Sequence, residues 1–251
     1  FFWRDWVKLL RGGMRVLAAG KFTREADPDG YGRQLALVIV GTVPAGLVGV
    51  LFQKFFVSNF SYPILAAALL CANGAVLLAV ERLSKSKRVA LAAAGGVTMG
   101  ATARASHGEA GMASGEVGTD LSQVSFFQAA LIGAAQTFAL LPGISRSGAT
   151  MVAGMSSGLS REQAARFSFL LATPIILGAG VLEVPKLLHN GLHIIALAAG
   201  GGVLAGIAAY LSVRFLMRFF ETRTLDPFAF YCVGAGVLLY CFFLLQYLNI
   251  V

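Results

Sequence analysis

Apolar residues in this chain are grouped in long continuous runs separated by short polar segments. Five runs are about as long as the roughly 20 residues that a helix needs to cross a bilayer core, namely 34–56, 63–80, 167–185, 194–217 and 228–248. Residues 90–120, by contrast, are rich in Ala, Gly, Ser and Thr and show no sustained apolar period. The pattern predicts an all-α, polytopic helical membrane protein: one transmembrane domain over 1–251 with a flexible cytoplasmic loop at about 83–122.

The charged residues indicate the orientation of these runs. Residues 1–33 contain seven Lys or Arg, and residues 81–104 contain another five, whereas the link 57–62 carries no charge. Because basic residues accumulate in cytoplasmic loops, the first run is predicted to leave the cytoplasm and the second to return. Trp3 and Trp6 are expected at the membrane interface.

Composition supports this class and excludes others. The chain has 57% hydrophobic and only 13% charged residues, whereas soluble domains carry about 25% charged residues. The formal charge of +8 sits in short loops beside apolar runs, so a nucleic-acid partner is not expected. Cys71, Cys232 and Cys241 lie inside apolar runs without paired spacing, which is typical of packing residues.

A further apolar stretch, 124–157, is interrupted by polar residues. An apolar helical run stops at Pro142, the sequence S-R-S-G follows, and the apolar pattern resumes at Ala149. Each arm is too short to cross a membrane alone, so the stretch is predicted to form a re-entrant broken-helix hairpin. Arg146 in this break costs about 2.5 to 3.5 kcal/mol at membrane depth, and a bound anion would offset that cost.

The residue types of the break suit a phosphate. Arginine offers a planar fork of donors, serine and threonine add hydroxyls, and glycines allow backbone N–H groups to approach closely. A helix restarting after Gly148 would direct its positive N-terminus to the same place. A nucleotide-binding P-loop is not expected, because Ala149 stands where its lysine belongs and no strand precedes it. The alternative is a simple helix kink, with Arg146 reaching to the membrane interface.

The sequence thus provides two groups of candidate site residues. Arg146 and Ser145 are the candidates for catalysis. Gly143, Ser147, Gly148 and Thr150 are the candidates for binding the substrate phosphate, and no residue is a candidate metal ligand.

An internal repeat is also visible. The pattern G-x-V-x-A-G that starts at Gly41 recurs at Gly201. Because the charge counts direct the first copy outward and the second inward, the repeat is predicted to have inverted topology. The glycines around Gly201 are expected to permit close helix approach. Glu183 is either a buried carboxylate that serves the site or an interfacial partner of Lys186.

The stretch P-G-I-S-R-S-G-A-T, with Gln136 upstream and F-S-F-L-L-A-T-P downstream, resembles the second signature of the undecaprenyl-diphosphate phosphatases of the bacitracin-resistance type. The resemblance implies a bacterial inner-membrane, multi-pass enzyme that removes the terminal phosphate of undecaprenyl diphosphate and so recycles the lipid carrier of cell-wall synthesis. The partners of such an enzyme would be membrane lipids and a polyprenyl diphosphate substrate, whose lipid tail would lie between helices.

The resemblance also implies residues that are not found here. The family's first signature, a Glu-rich stretch ending in Ser-Ser-Thr-Gly-His, has no match in this sequence, so the chain is expected to begin in mid-protein. The catalytic base and the ligands of a divalent cation (Mg or Ca), which only the resemblance implies, are expected in that segment. The active site is expected to open to the outer face. A rival interpretation is a transporter or flippase for a polyprenyl phosphate or a small anion. The sequence leaves the oligomeric state open.

Overall fold

The computed structural model describes residues 1–20, 23, 25, 27–59, 62–96, 121–188 and 191–248. The regular secondary structure of these residues is helical, so the predicted all-α class is confirmed. Helices α1 to α8 are Trp3–Ala19, Tyr31–Asn59, Pro63–Gly96, Phe126–Ala134, Arg146–Ser156, Arg161–Leu188, Leu192–Thr222 and Asp226–Tyr247. Two short 3₁₀ helices, Leu121–Gln123 and Ala135–Leu140, flank α4.

Five of the helices, α2, α3, α6, α7 and α8, are long and apolar enough to cross a membrane. They coincide with the five apolar runs of the sequence, and each extends beyond its run at one end or both because polar residues there continue the helix. The chain is therefore a multi-pass membrane protein, as predicted. Two of these helices contain proline in their interior, Pro44 in α2 and Pro174 and Pro185 in α6.

Helix α3 differs from its prediction at its C-terminal end. It continues to Gly96, well past residue 83, where the cytoplasmic loop was predicted to begin. The segment 83–96 is rich in Leu, Ala, Lys and Arg, which favour a helix, and it contains no proline. Residues 97–120 of the predicted loop lie outside the described residues.

Helix α1 is amphipathic and lies against α2. Leu9, Gly12, Gly13 and Val16 form its buried face. A Cβ at Gly12 would lie only 2.7 Å from the Gly32 nitrogen, so the two backbones touch. An ion pair of 2.6 Å between Asp5 and Arg166 connects α1 to α6.

Helices α3 and α8 form a close pair through small residues. A Cβ at Gly74 would lie 2.8 Å from the carbonyl oxygen of Ala229, and one at Gly236 would lie 3.0 Å from that of Ala67. Small residues allow such close approach in membranes, where van der Waals packing supports helix association.

The interrupted stretch lies between α2, α3 and α6, where the buried core is also found. Helix α4 begins with a capping box formed by Ser125 and Gln128. A Cβ at Gly133 would lie 1.7 Å from the carbonyl oxygen of Gly41, so α4 crosses α2 with backbones in contact. Core residues from this region include Leu37, Ile132, Phe167 and Leu171.

Helix α7 packs mainly on α6. Its glycine cluster was predicted to permit close approach of another helix, and within the described part of the chain no helix approaches it closely. A Cβ added at Gly200, Gly201, Gly202 or Gly206 meets no described atom within 4 Å.

Candidate functional site

The polar break predicted from the sequence is a loop between two short helices. The 3₁₀ helix ends at Leu140, Leu141 is extended, and α5 begins at Arg146. Gly143 has a φ of +92°, and a Cβ there would lie 2.1 Å from the carbonyl oxygen of Ala66 on α3. Only glycine fits this backbone conformation and this contact. Gly143 therefore holds the loop against α3.

The helix after the break starts earlier than predicted. Ser145 is its N-cap, and the Gly148 N–H donates to Ser145 Oγ at 3.2 Å. This cap satisfies a donor of the first turn, so Arg146, Ser147 and Gly148 are all helical. Ser147 Oγ lies 3.4 Å from Ser145 Oγ, which places two hydroxyls at the N-terminus of α5.

Arg146 is the first residue of α5, and it is exposed. Its guanidinium forms no hydrogen bond or ion pair with any other described side chain or backbone group. A positive side chain, two hydroxyls and the positive end of a helix dipole thus share one position. Ser145, Arg146, Ser147 and Gly148, four of the residues proposed from the sequence, form this helix start.

Thr150 lies one turn further along α5 and points into the protein. It is only 1% exposed, and its Oγ1 lies 3.1 Å from the carbonyl oxygens of Arg146 and Ser147. It also hydrogen-bonds to Ser168 Oγ on α6, which itself donates to the Ser147 carbonyl at 3.3 Å. These contacts anchor the first turn of α5 to α6.

Two buried amides lie on elements that pack against α5, namely the 3₁₀ helix before the loop and α3. Gln136 is 4% exposed, and neither its Nε2 nor its Oε1 has a hydrogen-bond partner among the described residues. Asn73 on α3 is 8% exposed, and its Oδ1 would lie 3.6 Å from a Cβ at Gly148. Sequence reasoning missed Asn73, although an amide inside the apolar run 63–80 was a visible signal.

The described residues do not fit a divalent cation. Nowhere in the described ranges do three His, Cys, Asp or Glu side chains converge, and the loop itself offers a guanidinium and hydroxyls but no carboxylate. Glu183, for which two roles were open, lies 2.9 Å from Lys186 with 63% of its side chain exposed. Of the two roles, the structure thus shows the partner of Lys186 and not a buried carboxylate.

Two apolar cavities occur elsewhere, between α1 and the spans. One of about 390 Å³ lies between α1, α6 and α7, and one of about 450 Å³ lies between α1, α2 and α6. Neither is lined by a residue of the loop, so neither is assigned to the phosphate.

Comparisons with known proteins agree with the resemblance found in the sequence. The family model described as bacitracin resistance protein BacA matches residues 1–238. A protein of Mycolicibacterium paratuberculosis named undecaprenyl-diphosphatase is 46% identical over 242 residues, covering 94% of this chain and 73% of that protein. An undecaprenyl-diphosphatase 2 of Chromobacterium violaceum is 42% identical over 94% of this chain and 75% of its own length. Another from Frankia alni is 40% identical over 95% of this chain and 76% of its own length.

Proposed function

The chain belongs to the BacA family of bacitracin resistance proteins, and from this premise we propose that it hydrolyses undecaprenyl diphosphate to undecaprenyl phosphate and inorganic phosphate in the bacterial inner membrane. This reaction recycles the lipid carrier of cell-wall synthesis. The observation that carries the proposal is the exposed Arg146 at the N-terminus of α5, whose guanidinium has no partner among the described residues, in a protein with five helices apolar enough to cross a membrane.

Arg146 binds the phosphate in this proposal. Its planar guanidinium donates two parallel hydrogen bonds to oxygens of the diphosphate, which a lysine cannot do. Backbone N–H groups of the first turn of α5 and the helix dipole stabilise the same negative charge. Since phosphoryl transfer depends mainly on positioning and charge stabilisation, this group of donors lowers the barrier directly.

The serines have separate proposed roles. Ser147 Oγ donates to a phosphate oxygen. Ser145 either positions the phosphate or attacks its phosphorus atom through Oγ, which loses its proton to water. In the second case the bond from phosphorus to the bridging oxygen breaks, undecaprenyl phosphate leaves, and water then releases the phosphate from the serine. Ser145 Oγ already accepts the Gly148 N–H, a bond that leaves its own hydrogen free to donate to the phosphate. Gly143 and Gly148 allow the loop to approach the substrate and α3 closely, and Thr150 keeps the first turn in place.

The interrupted stretch forms a re-entrant hairpin that enters from the inner side. Two contacts support this path of the hairpin across the membrane. At one end, Arg33 Nη2, near the start of α2, donates to the Val124 carbonyl at 2.6 Å. At the other end, Gly143 touches Ala66, three residues into α3 and hence about 5 Å from its first residue. The hairpin thus extends from the basic end of α2 to the uncharged end of α3.

The active site opens to the outer face in this arrangement. The charge counts assign the start of α3 to the outside, and the tip of the hairpin contacts that end. The inverted-topology repeat fits the same arrangement, because α2 and α7 carry the repeated pattern and both pack on α6. The lipid tail lies between helices, where apolar surface faces the bilayer.

A divalent cation remains an expectation of the family resemblance, and the described residues do not supply its ligands. Nucleic acid is not a proposed partner, because the basic residues are explained by their place in short loops on the cytoplasmic side.

The rival function is a transporter or flippase, because broken helices and inverted repeats are transporter features. A measurement of phosphate release in detergent distinguishes the phosphatase from the transporter, because transport needs two compartments and hydrolysis does not. We expect the purified full-length protein in detergent, supplied with undecaprenyl diphosphate and Mg²⁺ or Ca²⁺, to release phosphate at a rate that Arg146→Ala abolishes. Equal phosphate release by the unchanged protein and by Arg146→Ala would contradict the proposal. So would transport of the lipid across the membrane of liposomes that contain the protein, without any phosphate release.

A further inference from the structure

Asn73 is a buried amide at the middle of a membrane-spanning helix. It lies in the span Pro63–Ser86 of α3 and is 8% exposed. A polar group at this depth is costly unless it has hydrogen-bond partners, and within membranes such residues usually face a protein interior or a cavity. The contacts of Asn73 therefore indicate its role.

Those contacts leave most of its hydrogen-bonding capacity unused. Asn73 Nδ2 lies 3.7 Å from the Cys232 sulfur on α8, and a thiol sulfur is a weak acceptor. Among the described residues, nothing donates to its Oδ1. An amide carries two N–H donors and a carbonyl acceptor, so one donor and the acceptor are available for a ligand.

The amide is directed towards the first turn of α5. Both Asn73 Oδ1 and Ser145 Oγ lie within 3.6 Å of the position that a Cβ at Gly148 would occupy. Gly148, which has no side chain, leaves that space open between them. Because the amide oxygen and nitrogen exchange places by a rotation of the side chain, an N–H can face the same space.

We propose that Asn73 is a further phosphate-binding residue, whose amide N–H donates to an oxygen of the diphosphate held by Arg146 at the N-terminus of α5. The inference rests on the proposed function. It adds a neutral donor from α3 to the donors that α5 provides, so that two helices hold the substrate. The competing interpretation is structural, in which Asn73 only joins α3 to α8 through Cys232.

Two substitutions separate these interpretations. Asn73→Asp has nearly the same shape but no N–H donor, and its negative charge repels phosphate. Cys232→Ala removes the thiol and leaves the amide intact. The binding of farnesyl diphosphate, a short polyprenyl diphosphate, to the purified protein in detergent is measured by calorimetry. We expect Asn73→Asp to weaken binding at least about tenfold, the size of a lost hydrogen bond to a charged group, and Cys232→Ala to bind within about twofold of the unchanged protein.

The pH dependence of binding is compared with that of the unfolding temperature of the same variant, because a purely structural effect of a buried charge would change both together. The carboxyl group that Asn73→Asp introduces loses its charge and gains an O–H donor when it is protonated. The binding deficit of Asn73→Asp should therefore shrink as the pH falls, while the deficit of Arg146→Ala should not. Asn73→Ser, a smaller replacement, is measured in parallel in case Asn73→Asp does not fold, and it too should bind more weakly.

The results distinguish a failure of the Asn73 contact from a failure of the phosphate site itself. The inference is overturned if both Asn73 variants bind normally, or if Cys232→Ala reproduces their loss. Normal binding by Arg146→Ala, or none by the unchanged protein, would instead overturn the phosphate site on which the proposed function depends.

Discussion

Glu81 on α3 and Arg161 at the start of α6 form an ion pair inside the protein, with Arg161 Nε 3.0 Å from a Glu81 carboxylate oxygen. The Glu81 side chain is fully buried, and that of Arg161 is 8% exposed. The same carboxylate lies 3.5 Å from the Leu225 nitrogen just before α8. Three helices thus meet at one buried pair.

We expect Glu81→Gln to reduce the stability of the protein strongly. Removing one partner of a buried pair leaves the other charge uncompensated and costs about 3 to 5 kcal/mol. Thermal unfolding in detergent measures the effect. The matched control is Glu183→Gln, whose exposed pair with Lys186 contributes little. Equal unfolding temperatures for the two variants would contradict the role given to the buried pair.

Arg146→Lys tests the two-pronged grip on phosphate. The variant keeps the positive charge but loses the planar fork, so kcat/KM for undecaprenyl diphosphate should fall at least about tenfold, or 1.4 kcal/mol, with little change in expression. Arg15→Lys, an exposed position on α1, serves as the control and should remain active. Near-normal activity of Arg146→Lys would exclude the bidentate contact.

Gly143→Ala tests whether α3 holds the loop in place. A Cβ there would meet the Ala66 carbonyl and would also require an unfavourable backbone conformation at φ +92°, at a cost of about 2 kcal/mol or more. We expect a lower unfolding temperature together with reduced phosphate release. Gly180→Ala is the control, because its Cβ would meet no described atom within 4 Å. If both variants behave like the unchanged protein, the loop does not depend on this contact.

The orientation of the spans can be tested with single cysteines. In a protein whose Cys71, Cys232 and Cys241 are replaced by alanine, Tyr62→Cys should react with an impermeant thiol reagent in intact cells. Ser86→Cys should react only after lysis, since the charge rule puts that end of α3 inside. Both residues are exposed, so access depends on the side of the membrane. The reverse pattern would overturn the outward-opening site.

The sequence by itself determined the class of the protein and the place of its candidate chemistry. Long apolar runs, the break at Pro142 and the polar residues after it are local features, because membrane insertion and helix breaking depend on composition over a few turns. The exact start of the second arm was not determined in this way, since α5 begins at Arg146 with Ser145 as its cap and not after Gly148.

Only the tertiary structure decided which distant residues meet. Asn73 approaches Gly148, Gly143 touches Ala66, and Glu81 pairs with Arg161, each across many tens of residues in sequence. Such contacts depend on how helices cross, and the crossings depend on close packing of small residues that no local period encodes. For the same reason Thr150, which the sequence grouped with the phosphate-binding residues, lies buried against Ser168 on a neighbouring helix.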